Sequence, residues 1–319
     1  MSVVIAVVGP TATGKSALAL ALAERFGGEI LSCDSTAVYR GIDIGTDKLP
    51  VADRRGIPHH LIDLAEPTEV YSAARFATDA AAAVRAICGR GRLPVLAGGT
   101  GLYYRALVRG LFDGPARDEG LRARLERVAD RKGLDCLHRW LGRVDVGSAR
   151  RVQPRDRKRL VRALEVYLLT GRPLTAHFAD TRSQLAGSAV LTIGLGMPRA
   201  DLLPRVTRRV HAQFDQGVVQ EVQALLASGV PATAQALGGL VYRQVLEMIE
   251  GARDEAATRE LIIRENMRYA RRQLTWFRAE PDVHWHEGPG ESRAAVETAM
   301  ALVDPWLRER AAPAARSIV

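Results

Sequence analysis

The sequence predicts an α/β fold, a parallel sheet with crossover helices that carries an inserted, mainly helical segment. Three observations predict it. Apolar runs of strand length alternate with helical stretches through the first hundred residues; a long, arginine-rich helical stretch then interrupts the alternation; and a strand-like run returns after it.

Val3–Val8 is a continuous apolar run closed by Gly9, the pattern of a strand buried on both faces. Ser16–Phe26 has helical periodicity and helix-forming Ala and Leu, and Glu29–Cys33 reads as a second strand. Ser72–Cys88 is an alanine-rich helix ended by Gly89 and Gly91. Leu93–Ala97, closed by Gly98-Gly99, is the third strand, and this βαβ order calls for parallel pairing. From Leu121 to Thr170 the segments read as helices, and Gly171-Arg172-Pro173 breaks the last. Val190–Gly196 rejoins the sheet. Asp201–Ser228 reads as a helix or helix pair, in which Pro204 is tolerable only in the first turn. Helices follow at Val241–Ile249 and Glu255–Ala279, with a short strand at Val283–His286. The expected division is a core of residues 1–112 completed by 186–308, a basic helical insertion at 113–185, and a flexible tail at 309–319.

Composition narrows the function. Of 319 residues, 47% are apolar and 25% charged, as in soluble globular proteins, and no apolar run approaches the ~18 residues of a membrane span. The opening MSVVIAVVGP has neither a basic leader nor a cleavage site, so no signal peptide is expected. Cys33, Cys88 and Cys136 lack metal or disulfide spacing, which points to the reducing cytoplasm. A monomer is expected. The net charge is +9, and residues 113–185 alone hold 17 basic and 10 acidic side chains. Charge so concentrated reads as a nucleic-acid contact surface, with an ordinary solvated helical face as the alternative.

Gly9-Pro10-Thr11-Ala12-Thr13-Gly14-Lys15-Ser16 satisfies G-x-x-x-x-G-K-[ST] between a strand and a helix, the signature of a phosphate-binding P-loop of the nucleotide- and ATP-binding kind. Backbone N–H groups of such a loop turn inward on phosphate oxygens, and the helix N-terminus adds its partial positive charge. Lys15 would neutralise phosphate charge and the Ser16 hydroxyl would coordinate Mg²⁺. Lys15 is one of only four lysines (with Lys48, Lys132 and Lys158) in a chain of 45 basic residues. An ATP hydrolase normally adds an acid at the end of an apolar strand, yet Leu93–Ala97 runs into Gly98-Gly99-Thr100. The acid at a strand end is Asp34, and both Asp34 and Thr100 are expected to face the loop, since strand carboxyl ends converge on the ligand crevice. Asp34-Ser35-Thr36 also suits a turn.

Asp34-Ser35 with Tyr39-Arg40-Gly41, Asp43-Ile44-Gly45-Thr46, His59-His60-Leu61-Ile62-Asp63, Gly98-Gly99-Thr100-Gly101-Leu102-Tyr103, Arg159–Glu165 and Tyr269–Phe277 follow one another in order. With the P-loop, they resemble the tRNA dimethylallyltransferases, or tRNA isopentenyltransferases, the IPP transferase family. One departure stands out: where the family places an aromatic directly after a glycine, Gly239-Leu240-Val241 separate Gly238 from Tyr242. The resemblance implies a P-loop NTPase-like core with a helical insertion that grips the anticodon stem-loop of tRNA. It implies dimethylallyl diphosphate as donor, Mg²⁺ as helper, and N6 of the adenosine immediately 3′ of the anticodon as acceptor.

Adenine N6 is a poor nucleophile, so a carboxylate that removes its proton is worth ~10²–10⁴-fold, and Asp34 is the candidate base. The leaving diphosphate needs donors aimed at its developing charge: the amides of Thr11–Ser16, Lys15, Mg²⁺, and, by the resemblance, Arg209 or, one turn away, Arg205. Thr100 is the candidate partner of the base–nucleophile region. RNA contacts are expected from Asp34, Ser35, Thr36, Ala37 and Thr100, from Arg122, and from Lys158, Arg159, Leu160, Val161 and Arg162. Tyr39, Tyr103, Trp276 and Phe277 are candidates for stacking on bases. Two rivals share parts of this pattern, a P-loop kinase of small metabolites and a non-catalytic RNA-binding ATPase-like module.

Overall fold

Six strands pair in parallel in the computed structural model, which describes residues 2–112 and 114–311. They are β1 (Val3–Val8), β2 (Gly28–Cys33), β3 (His59–His60), β4 (Leu93–Gly98), β5 (Ala189–Gly196) and β6 (Val283–Glu287), in the order β3-β2-β4-β1-β5-β6. Val8 is in register with Gly98 and Gly194, and Cys33 with Gly98. The carboxyl ends of the central strands therefore finish level, which sets Gly9, Asp34 and Gly99 side by side. No described helix is long and apolar enough to cross a membrane.

The described chain divides into two compact units, one from Met1–Val108 and Gln184–Val319, the other Arg109–Ser183. The helical unit thus begins and ends a few residues before the expected 113 and 185. In the larger unit, β1 alternates across the sheet: Ile5 and Val7 join one apolar cluster, Val4, Ala6 and Val8 the other. The first cluster is closed by α1 (Lys15–Phe26), whose Leu18 and Leu22 are fully buried, each worth roughly 1.5–3 kcal/mol of apolar burial. The second lies under α2 (Ala73–Gly89) and α3 (Gly101–Val108). Ser72 caps α2, its side chain accepting the Arg75 N–H.

The regular elements among the smaller unit's described residues are all helices: α4 (Glu119–Lys132), α5 (Leu134–Val144), α6 (Val146–Arg151), α7 (Arg157–Thr170) and α8 (Leu174–Ala179). Leu125, Leu137, Leu141, Leu160 and Leu164 form its core. Glu165 is buried completely there; it accepts from Arg122 at 2.8 and 3.0 Å, from Arg162 at 2.7 Å and from the Asp118 N–H at 3.0 Å. Burial alone would raise this carboxyl, but those hydrogen bonds outweigh it and hold Glu165 down at about 2.

Beyond the returning strand lie α9 (Arg199–Asp215), α10 (Val218–Ala227), α11 (Leu240–Ile249), α12 (Glu255–Arg278) and α13 (Arg293–Ala311). Asp201–Ser228 is thus a helix pair, with Gly217 in the left-handed region between its members. Pro204 corrects the expectation for this segment. It sits in the second turn of α9, where its missing N–H leaves the Ala200 carbonyl without its helical donor. Burial of Leu202, Val206 and Val210 holds the helix through the defect. Neither α13 nor the two-residue β3 was anticipated, and α13 is helical from Arg293 through the start of the expected tail. Residues 312–319 of that tail lie outside the described residues.

Candidate active site

The carboxyl ends of β1, β2 and β4 open on a cavity of about 850 Å³, lined by residues of the larger unit. The P-loop forms its floor. Gly9 has φ 142°, and a Cβ there would lie 2.5 Å from the Leu195 carbonyl oxygen, so only glycine lets β1 turn this close to β5. Ala12 at φ 61° and Gly14 at φ 86° complete the curl that aims backbone N–H groups inward. For Ala12 that conformation is a strained one, and such strain collects at functional loops. Thr13 is buried, its hydroxyl donating to the Pro10 carbonyl at 2.9 Å. Ser16 is exposed at the head of α1.

Lys15 donates to the Pro10 carbonyl at 2.6 Å. Desolvation first, and the like charge of Arg209 second, lower its ammonium to about 7, with Asp34 opposing. Both arginines proposed as alternatives reach the loop. Arg209 donates to the Thr11 hydroxyl at 2.7 Å and pairs with Asp47 at 2.5 Å; Arg205 donates to the Ala12 carbonyl at 2.7 Å and pairs with Glu291 at 2.6 Å. Two carboxylates therefore hold the two guanidiniums at the loop, where a phosphate can exchange with them.

One loop amide departs from expectation. The Thr11 N–H donates to Gln273 Oε1 at 2.9 Å, so it is not free for a phosphate. The same side chain donates from Nε2 to the Gly99 carbonyl at 2.9 Å, tying the P-loop to the end of β4. Gly99 has to be glycine for this: a Cβ would meet Gln273 Nε2 at 2.1 Å.

Asp34 carries both of its expected features. Oδ1 accepts from the Thr36 N–H at 2.8 Å, the Thr36 hydroxyl at 2.7 Å and the Ala37 N–H at 3.3 Å, the bonds of a turn. Oδ2 receives no hydrogen bond from any described residue, and Asp34 lines the cavity. Thr100 Oγ1 accepts the Ser35 N–H at 3.1 Å, joining the ends of β2 and β4. Cys33, beneath them, is raised by burial and then by Asp34, which keeps it an inert thiol.

Several expected RNA contacts are placed elsewhere. Leu160 and Val161 are buried in the core of the helical unit, so their side chains are withdrawn from any partner. Arg122 and Arg162 are committed to Glu165, and only Lys158 and Arg159 of that set are exposed, Arg159 with a 3.3 Å pairing to Asp156. Tyr39, Tyr103 and Phe277 are at most 4% exposed and pack in the core, which corrects the stacking expectation for them. Trp276 is half-buried with Arg105 over its ring at 4.5 Å. Tyr242, after the departure at Gly239-Leu240-Val241, is buried; its hydroxyl donates to Glu221 at 2.6 Å, and Glu221 in turn accepts the N–H groups of Asp43 and Ile44. The aromatic thus anchors a cavity wall.

Gln273, Asp47, Glu291 and Tyr269 belong to the site without having been given roles from sequence. The only sequence signal for any of them is the Tyr269–Phe277 block, whose period of four puts Tyr269 and Gln273 on one helical face.

A profile of the IPP transferase family matches residues 37–280. The tRNA dimethylallyltransferase of Solibacter usitatus is 48% identical, over 95% of this chain and 98% of that one. The Koribacter versatilis tRNA dimethylallyltransferase is 44% identical, over 92% and 96%. Among solved structures, the tRNA isopentenylpyrophosphate transferase of Bacillus halodurans superposes with a TM-score of 0.72 at 34% identity, over 97% of this chain and 98% of that one. A eukaryotic dimethylallyltransferase acting on tRNA has the same fold, with a TM-score of 0.78 at 24% identity, over 97% and 80%.

Proposed function

The chain belongs to the IPP transferase family, and from that premise we propose that it transfers a dimethylallyl group from dimethylallyl diphosphate to N6 of the adenosine 3′ of the anticodon in tRNA. The observation that carries the reading is one cavity holding both a P-loop and, at the level of the same strand ends, a carboxylate with an open oxygen.

The attacking N6 forms a bond to C1 of the donor as the C1–O bond breaks. The bonding pair stays on the ester oxygen, which becomes a terminal oxygen of the released diphosphate, and the N6 proton goes to Asp34 Oδ2. Charge builds on the leaving group, within reach of Lys15, the N–H groups of Ala12–Ser16, Arg205 and Arg209. An arriving anion favours the charged form of Lys15, whose ammonium burial and then Arg209 lower to about 7. Thr100 positions Ser35 and, through it, the turn that presents Asp34.

Mg²⁺ fits this donor set in a limited way. Among the described residues no group of three or more His, Cys, Asp or Glu is placed to hold a metal. Mg²⁺ keeps most of its ligands as water and phosphate oxygen, so a single exposed hydroxyl, Ser16, suits it. Bound there, it would supply further positive charge to the diphosphate.

The helical unit grips the RNA through its exposed cations, Lys158 and Arg159 foremost, and phosphate contacts offset the few kcal/mol needed to splay out the target base. The protein acts as a monomer in the reducing cytoplasm, where its three cysteines stay free. Transfer of a labelled prenyl group to an anticodon stem-loop tests the reading; transfer of a labelled γ-phosphate instead would favour a P-loop kinase.

A further inference from the structure

Adenine presents an N6–H donor beside a ring-nitrogen acceptor on each of two edges, N7 on one and N1 on the other. Guanine has the O6 acceptor where adenine has the amino group. A site that selects adenine therefore needs an acceptor and a donor placed together. Asp34 Oδ2 supplies the acceptor.

The donor that the structure offers is Tyr269. It lies on α12 and lines the same cavity as Asp34. Among the described residues no hydrogen bond takes up its phenolic hydrogen, which leaves that hydrogen for the cavity. Burial, and after it the charge of Asp34, push Tyr269 up to about 12, so at neutral pH it is a donor. One turn along the helix, Gln273 bonds through both ends of its amide to Thr11 and Gly99, which fixes α12 against the strand ends. The hydroxyl is therefore held on a rigid element, as a reading group has to be.

We infer that Tyr269 determines specificity for the acceptor base, donating its hydroxyl hydrogen to a ring nitrogen of adenine while Asp34 accepts from N6. The inference rests on adenosine N6 being the acceptor. No other atom of the tyrosine takes part in the bond changes, so Tyr269 orients and selects.

Single-turnover prenyl transfer to three anticodon stem-loops tests it, one with adenosine, one with 7-deazaadenosine and one with 1-deazaadenosine at the acceptor position. The wild type should be slowed roughly 10-fold or more on one of the two deaza substrates, the scale of a lost base contact. Tyr269→Phe should show about the same loss on adenosine and no further loss on that deaza substrate. Equal wild-type rates on all three RNAs would overturn the inference, and so would a variant that still discriminates or that slows all three alike. A wild type that modifies none of them would bring down the adenosine reading itself, and the inference with it.

Discussion

Arginine is abundant in both units of this protein, and the two put it to opposite use. In the cavity, Arg205 and Arg209 each touch the P-loop while a partly exposed carboxylate, Glu291 or Asp47, balances them. An anionic ligand can take the place of those carboxylates. In the helical unit, Arg122 and Arg162 close on Glu165, which has no exposure at all, while Lys158 and Arg159 remain at the surface. Net charge locates a basic region; burial decides which of its cations are free for a partner.

The largest effect expected from this contrast is at Asp34. Asp34→Asn keeps an oxygen for the Thr36 and Ala37 turn but removes the proposed base, so single-turnover transfer should fall ~10²–10⁴-fold with tRNA affinity within a small factor. An unchanged rate with much weaker tRNA binding would make Asp34 a turn and contact residue only.

In the helical unit the expected damage is to stability. Glu165→Ala leaves two guanidiniums unpaired beside the core, and breaking such a buried pair costs about 3–5 kcal/mol. Denaturant unfolding of the variant measures it; a loss within 1 kcal/mol, on the order of a surface pair, would place the network in solvent. The same carboxyl sets a pH dependence. Its folded value, about 2, lies below the ordinary 4.5, so its stabilisation is present above pH 4.5 and is lost as pH falls towards 2. Glu165→Gln should flatten the unfolding curve in that window.

Smaller effects belong to the exposed pair. Charge reversal at Lys158 and Arg159 should weaken tRNA binding and reduce the log–log salt slope by roughly 0.7–0.9 per lost phosphate contact. An unaltered slope would mean that neither touches the RNA backbone.

These contrasts follow how far sequence could be read. The P-loop was legible because its eight-residue motif sits between a strand and a helix, although the close approach that requires Gly9 is made by the distant Leu195. Asp34 and Thr100 were legible because parallel strands end level. Arg205 and Arg209 were narrowed to a pair one turn apart, and both prove to reach the loop. Gln273 was not legible in its role, being 262 residues from the Thr11 amide it accepts. Nor did the helical charge pattern say which cations would close on Glu165, since Arg122 lies 43 residues away. Sequence patterning identified a basic segment; only the packing of α4 against α7 sorted its arginines.

The most direct test follows the leaving group. With purified protein, a tRNA anticodon stem-loop, dimethylallyl diphosphate and Mg²⁺, both the prenyl group incorporated and the inorganic diphosphate released are to be counted. One diphosphate per prenyl group is expected, with no orthophosphate or ADP formed when ATP is added and severe slowing of release in Lys15→Ala. No diphosphate, together with ATP hydrolysis stimulated by the RNA, would contradict the prenyl-transfer chemistry assigned to the cavity.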